Sequence, residues 1–460
     1  MTYNFLKNGC RDGFRRYKWS QCGIGEGQSS LAIDELGRLF AWGQNYDHQC
    51  GIFPTAALDF GTYSLTGMPP LYDDIEVPTR ILLKHKRFIK CGSNEFGQFA
   101  LTDEGEMYGW GWASEDCSAF GLPVGSGIDS SNEYFSEPVL CTPGYRWKDI
   151  ANDMYSTIGI DLDGNVYGWG DNFDWNITNE YTINLIFNTP QRLNLVPGPC
   201  KFVDSRLGPK VVVTEDNRVF AWGDSWWNTE SGWDFYFNGT PTQITGLPAG
   251  SVITFMAACA DGIYVVLSDG SLWAAGGSIL FGEGYDPDGP YPHGTQTFQE
   301  VTFFSDKPVA KVRPVSMGGF VVYVITQDGD VYQVNTDYGS ALYSCGSSHW
   351  AATYAYCYFW QPVGVETLGD KKFVDAMPNT HQNSFMAIGE DGYLYTWGSQ
   401  WWGPHLGNNT CWGYTDLAKN PQCSGIIQVQ PIIGYASEAE QVDGEPTYLN
   451  VFSLGESPYI

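Results

Sequence analysis

One short phrase recurs seven times along this chain: an apolar run, a polar turn, then a second run rich in aromatics that usually ends in Trp-Gly. The copies are LAIDELGRLFAWG (31–43), FALTDEGEMYGWG (99–111), IGIDLDGNVYGWG (158–170), VVVTEDNRVFAWG (211–223), YVVLSDGSLWAAG (264–276), VYVITQDGDVYQV (322–334) and FMAIGEDGYLYTWG (385–398). A supersecondary unit of this kind cannot bury its apolar faces alone and must stack on its neighbours. The repeat therefore overrides the plain length argument, by which 460 residues would suggest several separate domains.

Each copy has the physics of a hairpin. A strand such as FALT runs into a turn such as DEGE, where glycine accepts the positive φ that a tight turn imposes. Gly37, Gly105, Gly164, Gly270, Gly329 and Gly392 hold that place, and Asn217 holds it in the fourth copy, as asparagine can. The returning strand alternates, which puts Phe40 with Trp42, Tyr108 with Trp110 and Tyr167 with Trp169 on one face. Small or aliphatic residues such as Leu39 and Ala41 take the other. Neither face is polar, so both need cover, and sheets stacked as blades around an axis provide it.

The turns lie 53 to 68 residues apart, room for four strands and a variable connection per blade. Upstream of most hairpins stand two further strand-like segments, as in EPVLCTPGYRWKDIAND (137–153) and TPTQITGLPAGSVITFMAAC (240–259). The first copy reads as lacking its Pro-led outer segment, while the C-terminal part carries a spare candidate, IIQVQPIIGY (426–435). The expectation is one all-β domain over 1–460, a seven-bladed β-propeller. Its ring closes between N- and C-terminal segments through a blade shared by both, with 424–460 as closing strand and tail.

The stretch LAIDELGRLFAWGQNYDHQCG (31–51) resembles the repeat of the regulator of chromosome condensation family, whose blades end in Trp-Gly-x-Asn followed by a Gln-x-Gly step. Trp42, Gly43, Asn45, Gln49 and Gly51 match it with one residue extra; Trp397, Gly398, Leu406 and Gly407 match more loosely. The resemblance covers essentially the whole chain and implies a seven-bladed propeller. The departures concern function. The family commonly sets a His just before the second strand, where this chain reads SNEFGQFAL, NDMYSTIGI or CADGIYVVL. The exchange-factor branch uses basic surfaces on chromatin, and the plant ultraviolet-B photoreceptor branch uses Gly-Trp-Arg-His-Thr motifs; neither feature stands here, so neither activity is expected.

Charge narrows the partners. With 24 Lys and Arg against 52 Asp and Glu, the net charge is −28, which repels phosphate backbones and anionic lipid. Neither nucleic acid nor membrane insertion is expected, and no apolar run is long enough to span a bilayer. Two basic runs, RDGFRRYK (11–18) and KHKRFIK (84–90), read as solvated strand edges; the competing reading is a docking patch for an acidic partner or a second copy of this chain. MTYNFLKNGCRDGF opens the sequence without an apolar stretch, so no secretion leader is expected. Twelve Cys include three pairs spaced by twelve (Cys10/Cys22, Cys345/Cys357, Cys411/Cys423), which leaves local bridges open, but buried reduced thiols are the first expectation.

The usual short catalytic motifs are absent, and carboxylates are too numerous for one pair to be singled out as acid and base. His48 and His405 fall in similar loops of the first and last copies, yet two histidines alone do not define a metal site. DLDG (161–164) and DPDG (286–289) faintly echo calcium loops, and turn chemistry explains the first. No enzyme, no cofactor and no metal are expected.

What remains is the set of segments after each Trp-Gly. They carry Trp112, Phe173, Trp175, Trp226, Trp227, Trp233, Phe235, Tyr236, Trp401, Trp402, Trp412 and Tyr414, at positions the repeat brings to one rim. Aromatics on a rigid scaffold, flanked by Asn, Asp, Gly and Ser, suit flat contact with a protein or a sugar ring. The competing account has these rings folding back to make a core for long loops. The leading functional reading is a non-enzymatic binding or assembly module that docks a protein, with a phage or viral virion component as its specific form. Its place would be the particle surface, or otherwise the cytoplasm. The alternative is a carbohydrate-binding adhesin or receptor-binding protein, and a third reading, a propeller inhibitor, would require secretion.

Overall fold

The computed structural model describes residues 18–25, 29–45, 48–52, 75–83, 85–93, 97–112, 120–121, 134–153, 156–172, 177, 185–194, 196–205, 209–223, 239–259, 262–282, 295–315, 321–335, 357–363, 371–379, 384–398 and 427–429. They form seven small sheets, each with four antiparallel strands taken in chain order; the short strand Ile24–Gly25, between the first two strands of the first sheet, pairs parallel with Phe88–Ser93 of the next. Among the described residues there is no α-helix. The sheets make the blades of a seven-bladed β-propeller. Blade 1 runs from Trp19–Cys22 through Ser29–Asp34 and Leu39–Gly43 to Ile75–Arg80, and blade 7 from Phe373–Asn379 to Ile427–Val429.

The repeated hairpin joins the second and third strands of every blade, and its turn also ties each blade to the next. The carbonyls of Gly37, Gly105, Gly164, Gly270 and Gly329 accept the N–H that opens the following inner strand: Phe88, Trp147, Cys200, Val309 and Phe373, at 2.8 to 2.9 Å. Gly392 of blade 7 accepts from Trp19 of blade 1 at 2.9 Å, so the same bond closes the ring. At the remaining junction Asn217 (φ 66°) uses its side chain, and Oδ1 accepts from Ile253 N at 2.9 Å. The turn needs positive φ at this place, and a Cβ on Gly105 would also stand 2.9 Å from the Trp147 carbonyl oxygen.

Both faces of each sheet are covered, as the patterning requires. Phe40 and Trp42 pack with Met377, Met386, Ile388 and Leu394 of blade 7, while Leu39 and Ala41, on the opposite face, pack with Cys91, Ala100 and Trp110 of blade 2. The same two-sided division recurs at the other seams, giving seven apolar clusters for seven blade interfaces. Trp42, Trp110, Trp169 and Trp222 are fully buried; truncating such a ring costs about 3–5 kcal/mol. Blade 6 carries Val334 where these tryptophans stand, and Trp360 from its outer strand enters the cluster shared with blade 5 instead.

Two expectations need correction. Ring closure does occur between the first and last blades, but among the described residues no sheet combines strands from the two ends of the chain. Ile427–Val429 is the outer strand of blade 7, pairing Val429 with Leu394, inside the stretch expected to close blade 1. Blade 1 does have its own Pro-led outer strand, Ile75–Arg80 with Pro78 buried, which pairs with Leu39–Gly43. The long connection from 44 to 74 hid it, because the other blades bring the outer strand closer.

Candidate binding faces

Every inner strand carries a β-bulge at the same place, two residues in from its start. Bulges re-aim the side chains that follow them. The residues after the seven bulges, in blade order, are Gln21, Lys90, Asp149, Phe202, Phe255, Lys311 and Asp375. All except Asp375 line a cavity of about 540 Å³ that opens at the hairpin-turn end of the propeller axis. Asp375 is fully buried.

This ring is held by charge. Lys90 donates to Asp149 Oδ1 at 2.6 Å across the seam of blades 2 and 3, and Asp149 Oδ2 accepts from Val203 N of blade 4 at 3.1 Å. Asp375 repeats the arrangement: Arg313 of blade 6 donates twice to Oδ1, at 3.0 and 3.1 Å, and Cys22 N of blade 1 donates to Oδ2 at 3.1 Å. Asp204 accepts from Ala258 N of blade 5 at 2.9 Å. Phe202 of blade 4 and Phe255 of blade 5 also line the cavity, with Arg313 5.3 Å from the Phe255 ring centre. Four carboxylates and four cations line the cavity, so it is locally balanced in a chain of net charge −28.

The basic run 84–90 belongs to this end and is largely consumed in ion pairs. Lys86 contacts Glu104 and Glu106, Arg87 stands 3.7 Å from Asp103, and Lys90 binds Asp149. Hydrogen bonds donated to Glu104 and Glu106 hold the Lys86 ammonium well above the usual lysine range. Leu36, Ile89, Leu162, Val252 and Val374 are exposed around the same end, in turns or at the starts of inner strands.

The other end takes the connections between third and fourth strands. Trp112 is half-buried, at the end of Met107–Trp112 and paired with Tyr134. Phe173, Trp175, Trp226, Trp227, Trp233, Tyr236, Trp401, Trp402 and Trp412 lie outside the described residues. The residues that match the family repeat have structural roles. Asn45 Oδ1 accepts from Cys50 N at 3.0 Å, and Trp110 Nε1 of blade 2 donates to the Gln49 carbonyl at 2.8 Å. A Cβ on Gly51 would meet the Trp110 ring at 2.7 Å, which explains glycine there. Asn172 repeats the first bond, to Ile177 N at 2.7 Å.

Sequence reasoning missed a buried polar cluster near this end. Lys210 opens the second strand of blade 4 opposite Trp222, at a place where sister blades carry Ser30, Gln98, Thr157, Ile263 and Val322, and it contacts Asp153 of blade 3. Asp153 also accepts from Ser156 N at 2.7 Å and from Ser205 Oγ at 3.2 Å. Burial pulls the Lys210 ammonium down to about 7. The bond network satisfies a carboxylate that would otherwise be costly in the interior, and it staples blades 3 and 4. A charged residue in an otherwise uncharged place of the repeat is the signal that marks it.

Other candidates resolve into packing. Cys22, Cys50, Cys91, Cys141, Cys200 and Cys259 are buried as thiols, so Cys22 is not part of a bridge; burial pushes the Cys200 thiol up to about 12. In DLDG, Asp161 Oδ1 accepts from Asp163 N and Asn165 N, an ordinary turn. DPDG and His405 lie outside the described residues. Among the described residues, no group of three or more His, Cys, Asp or Glu could hold a metal ion, and no helix is long and apolar enough to cross a membrane.

Ring, repeat and register together define a seven-bladed β-propeller whose repeated hairpin is similar to that of RCC1-repeat proteins. No protein-family model matches the chain. Its curated relatives include RCC1-repeat proteins: protein pim1 of Schizosaccharomyces pombe is 23% identical over 248 residues, 47% of this chain and 42% of pim1. An RCC1 repeat-containing protein of Dictyostelium discoideum is 26% identical over 171 residues, 36% of this chain and 31% of that protein. The chain thus spans less than half the length of these relatives. Among solved structures, human WBSCR16 covers 87% of this chain, and the chain 96% of it, at TM-score 0.64 and 16% identity. Prp20p of Saccharomyces cerevisiae, described with its binding properties to Gsp1p and histones, covers 78% of this chain, and the chain 80% of it, at TM-score 0.56 and 17% identity.

Proposed function

We propose that this chain is a non-enzymatic binding module, a rigid propeller that docks a protein partner through the connections between its third and fourth strands. The observation that carries the reading is the unequal use of charge and aromatics at the two ends. The hairpin-turn end is occupied by ion pairs, whereas the connections 44–74, 113–133, 172–185, 223–241, 277–294, 336–356 and 399–426 hold eighteen Asp and Glu, one Lys and no Arg. They also hold eleven of the twelve aromatics singled out above, and Trp112 stands at the edge of one. Acidic segments studded with Tyr and Trp favour partners that present cationic and apolar groups.

Protein binding also fits the relatives, since Prp20p is described with Gsp1p and histones as its binding partners. The more specific readings, a component of a phage or viral particle and a glycan-binding adhesin, gain nothing from the relatives. The proposal keeps to protein binding. The test is affinity capture with the intact chain beside a Trp112→Ala, Trp226→Ala, Trp401→Ala triple variant of unchanged circular dichroism. A protein retained by the parent and released by the variant is the expected result. Equal retention by both, or no retained protein, sinks the reading.

A further inference from the structure

A donor and acceptor count of the axial cavity shows an imbalance. Its aspartates are spent: Asp149 on Lys90 and Val203 N, Asp204 on Ala258 N, and Asp34 on the N–H groups of Leu36 and Arg38. Asp375, beneath them, is filled by Arg313 and Cys22 N. Lys311 is only partly spent. Its nearest carboxylate is Asp375 at 3.5 Å, beyond a good charge-assisted bond, and an ammonium carries three donors. Two blades on, in blade 1, the Gln21 amide oxygen is buried without a partner. Phe202 and Phe255 are only partly buried and give the cavity an apolar wall.

A ligand that completes this site brings a carboxylate for Lys311, an N–H for Gln21 and an apolar group for the two phenylalanines. We infer that the axial cavity at the hairpin-turn end binds an acidic segment of a protein, with an Asp or Glu side chain at Lys311 and an adjacent apolar residue against Phe202 and Phe255. The unmet acceptor on Gln21 favours a peptide, which offers backbone N–H groups, over a free carboxylate, which shares the anionic chemistry but lacks the donor. The local balance of charge allows an anion to approach a chain that is otherwise strongly negative. The site lies at the end opposite the connections invoked for protein docking, so either can fail without the other.

The test is calorimetric titration of the full chain with the blocked tripeptide acetyl-Glu-Phe-Gly-amide, its Gln counterpart, and 3-phenylpropionate. The Glu peptide is expected to bind, with the Gln peptide and 3-phenylpropionate each weaker by roughly tenfold or more, the size of one charge-assisted or buried hydrogen bond. Lys311→Gln is expected to lose a similar factor with unchanged melting, and Lys311→Arg to keep most of the affinity. Equal binding of Glu and Gln peptides, no heat up to about 5 mM peptide, or an unaltered Lys311→Gln variant overturns the site. Binding of 3-phenylpropionate as tight as the peptide overturns the peptide assignment in favour of a small carboxylate.

Discussion

Asp149 and Asp375 stand at the same register of their inner strands, and each links three blades. Asp149 joins blades 2, 3 and 4 through Lys90 and Val203 N, and Asp375 joins blades 6, 7 and 1 through Arg313 and Cys22 N. Their surroundings differ. The Asp149 side chain and its lysine are each 17% exposed, whereas Asp375 is 0% and Arg313 7% exposed. Asp375 also reaches, through Cys22 N, across the one seam that chain connectivity does not bridge. There, alignment of blades 7 and 1 depends on the Trp19–Gly392 backbone bond, the shared apolar cluster and this carboxylate. Burial turns the same motif from a modest link into the principal polar lock of the ring.

The comparison breaks most readily at the buried partner. Asp375→Ala strands the Arg313 guanidinium and the Cys22 N–H, and should cost about 3–5 kcal/mol in urea unfolding. Asp149→Ala, with water at hand for Lys90, should cost about 1–2 kcal/mol. Equal losses would show that burial does not separate the two.

The junction of blades 4 and 5 sharpens the point at smaller scale. Asn217→Ala removes the acceptor of Ile253 N and Lys201 Nζ and places alanine at positive φ, for an expected loss of about 2 kcal/mol. Asn217→Gly restores the residue type of the six sister turns and should cost about 0.5 kcal/mol or less once the backbone carbonyl takes the bond. If both variants melt alike, the side-chain bond carries no weight.

Smaller still is the alkaline dependence of the buried thiols. Burial raises the Cys200 thiol from 9.0 to about 12. A folded-state value above the unfolded one gives stability that is fully present below pH 9 and lost as pH rises toward 12. At pH 10 the loss is about 1 kcal/mol, so the gap in unfolding free energy between the parent and Cys200→Ala should narrow by that much between pH 8 and pH 10. A gap independent of pH would contradict the burial account. The least effect belongs to the exposed pair of Lys148 and Glu215: Lys148→Met should shift stability by less than about 0.5 kcal/mol.

Much of the architecture was legible because hairpin physics is local. Positive φ at Gly37 and its sisters, alternation in LFAWG, and apolar character on both faces are properties of a dozen consecutive residues. The outer strand of blade 1 was misread because its distance from the third strand is set by an insertion, which carries no periodicity. The axial site was not legible. Gln21, Lys90, Asp149, Phe202, Phe255, Lys311 and Asp375 differ in type, so no repeat marks them, and only the bulge in each strand brings them to one level.

The chain's sequence thus determined by itself the blade, the number of blades and the need to cover both faces of every sheet, since these follow from short-range patterning repeated seven times. Tertiary structure alone decided which aspartates became buried locks, which lysine is only partly spent, and that among the described residues the last blade closes on the first without sharing a strand. Those outcomes depend on burial and on contacts between residues hundreds of positions apart, such as Cys22 with Asp375, and local patterning does not encode them.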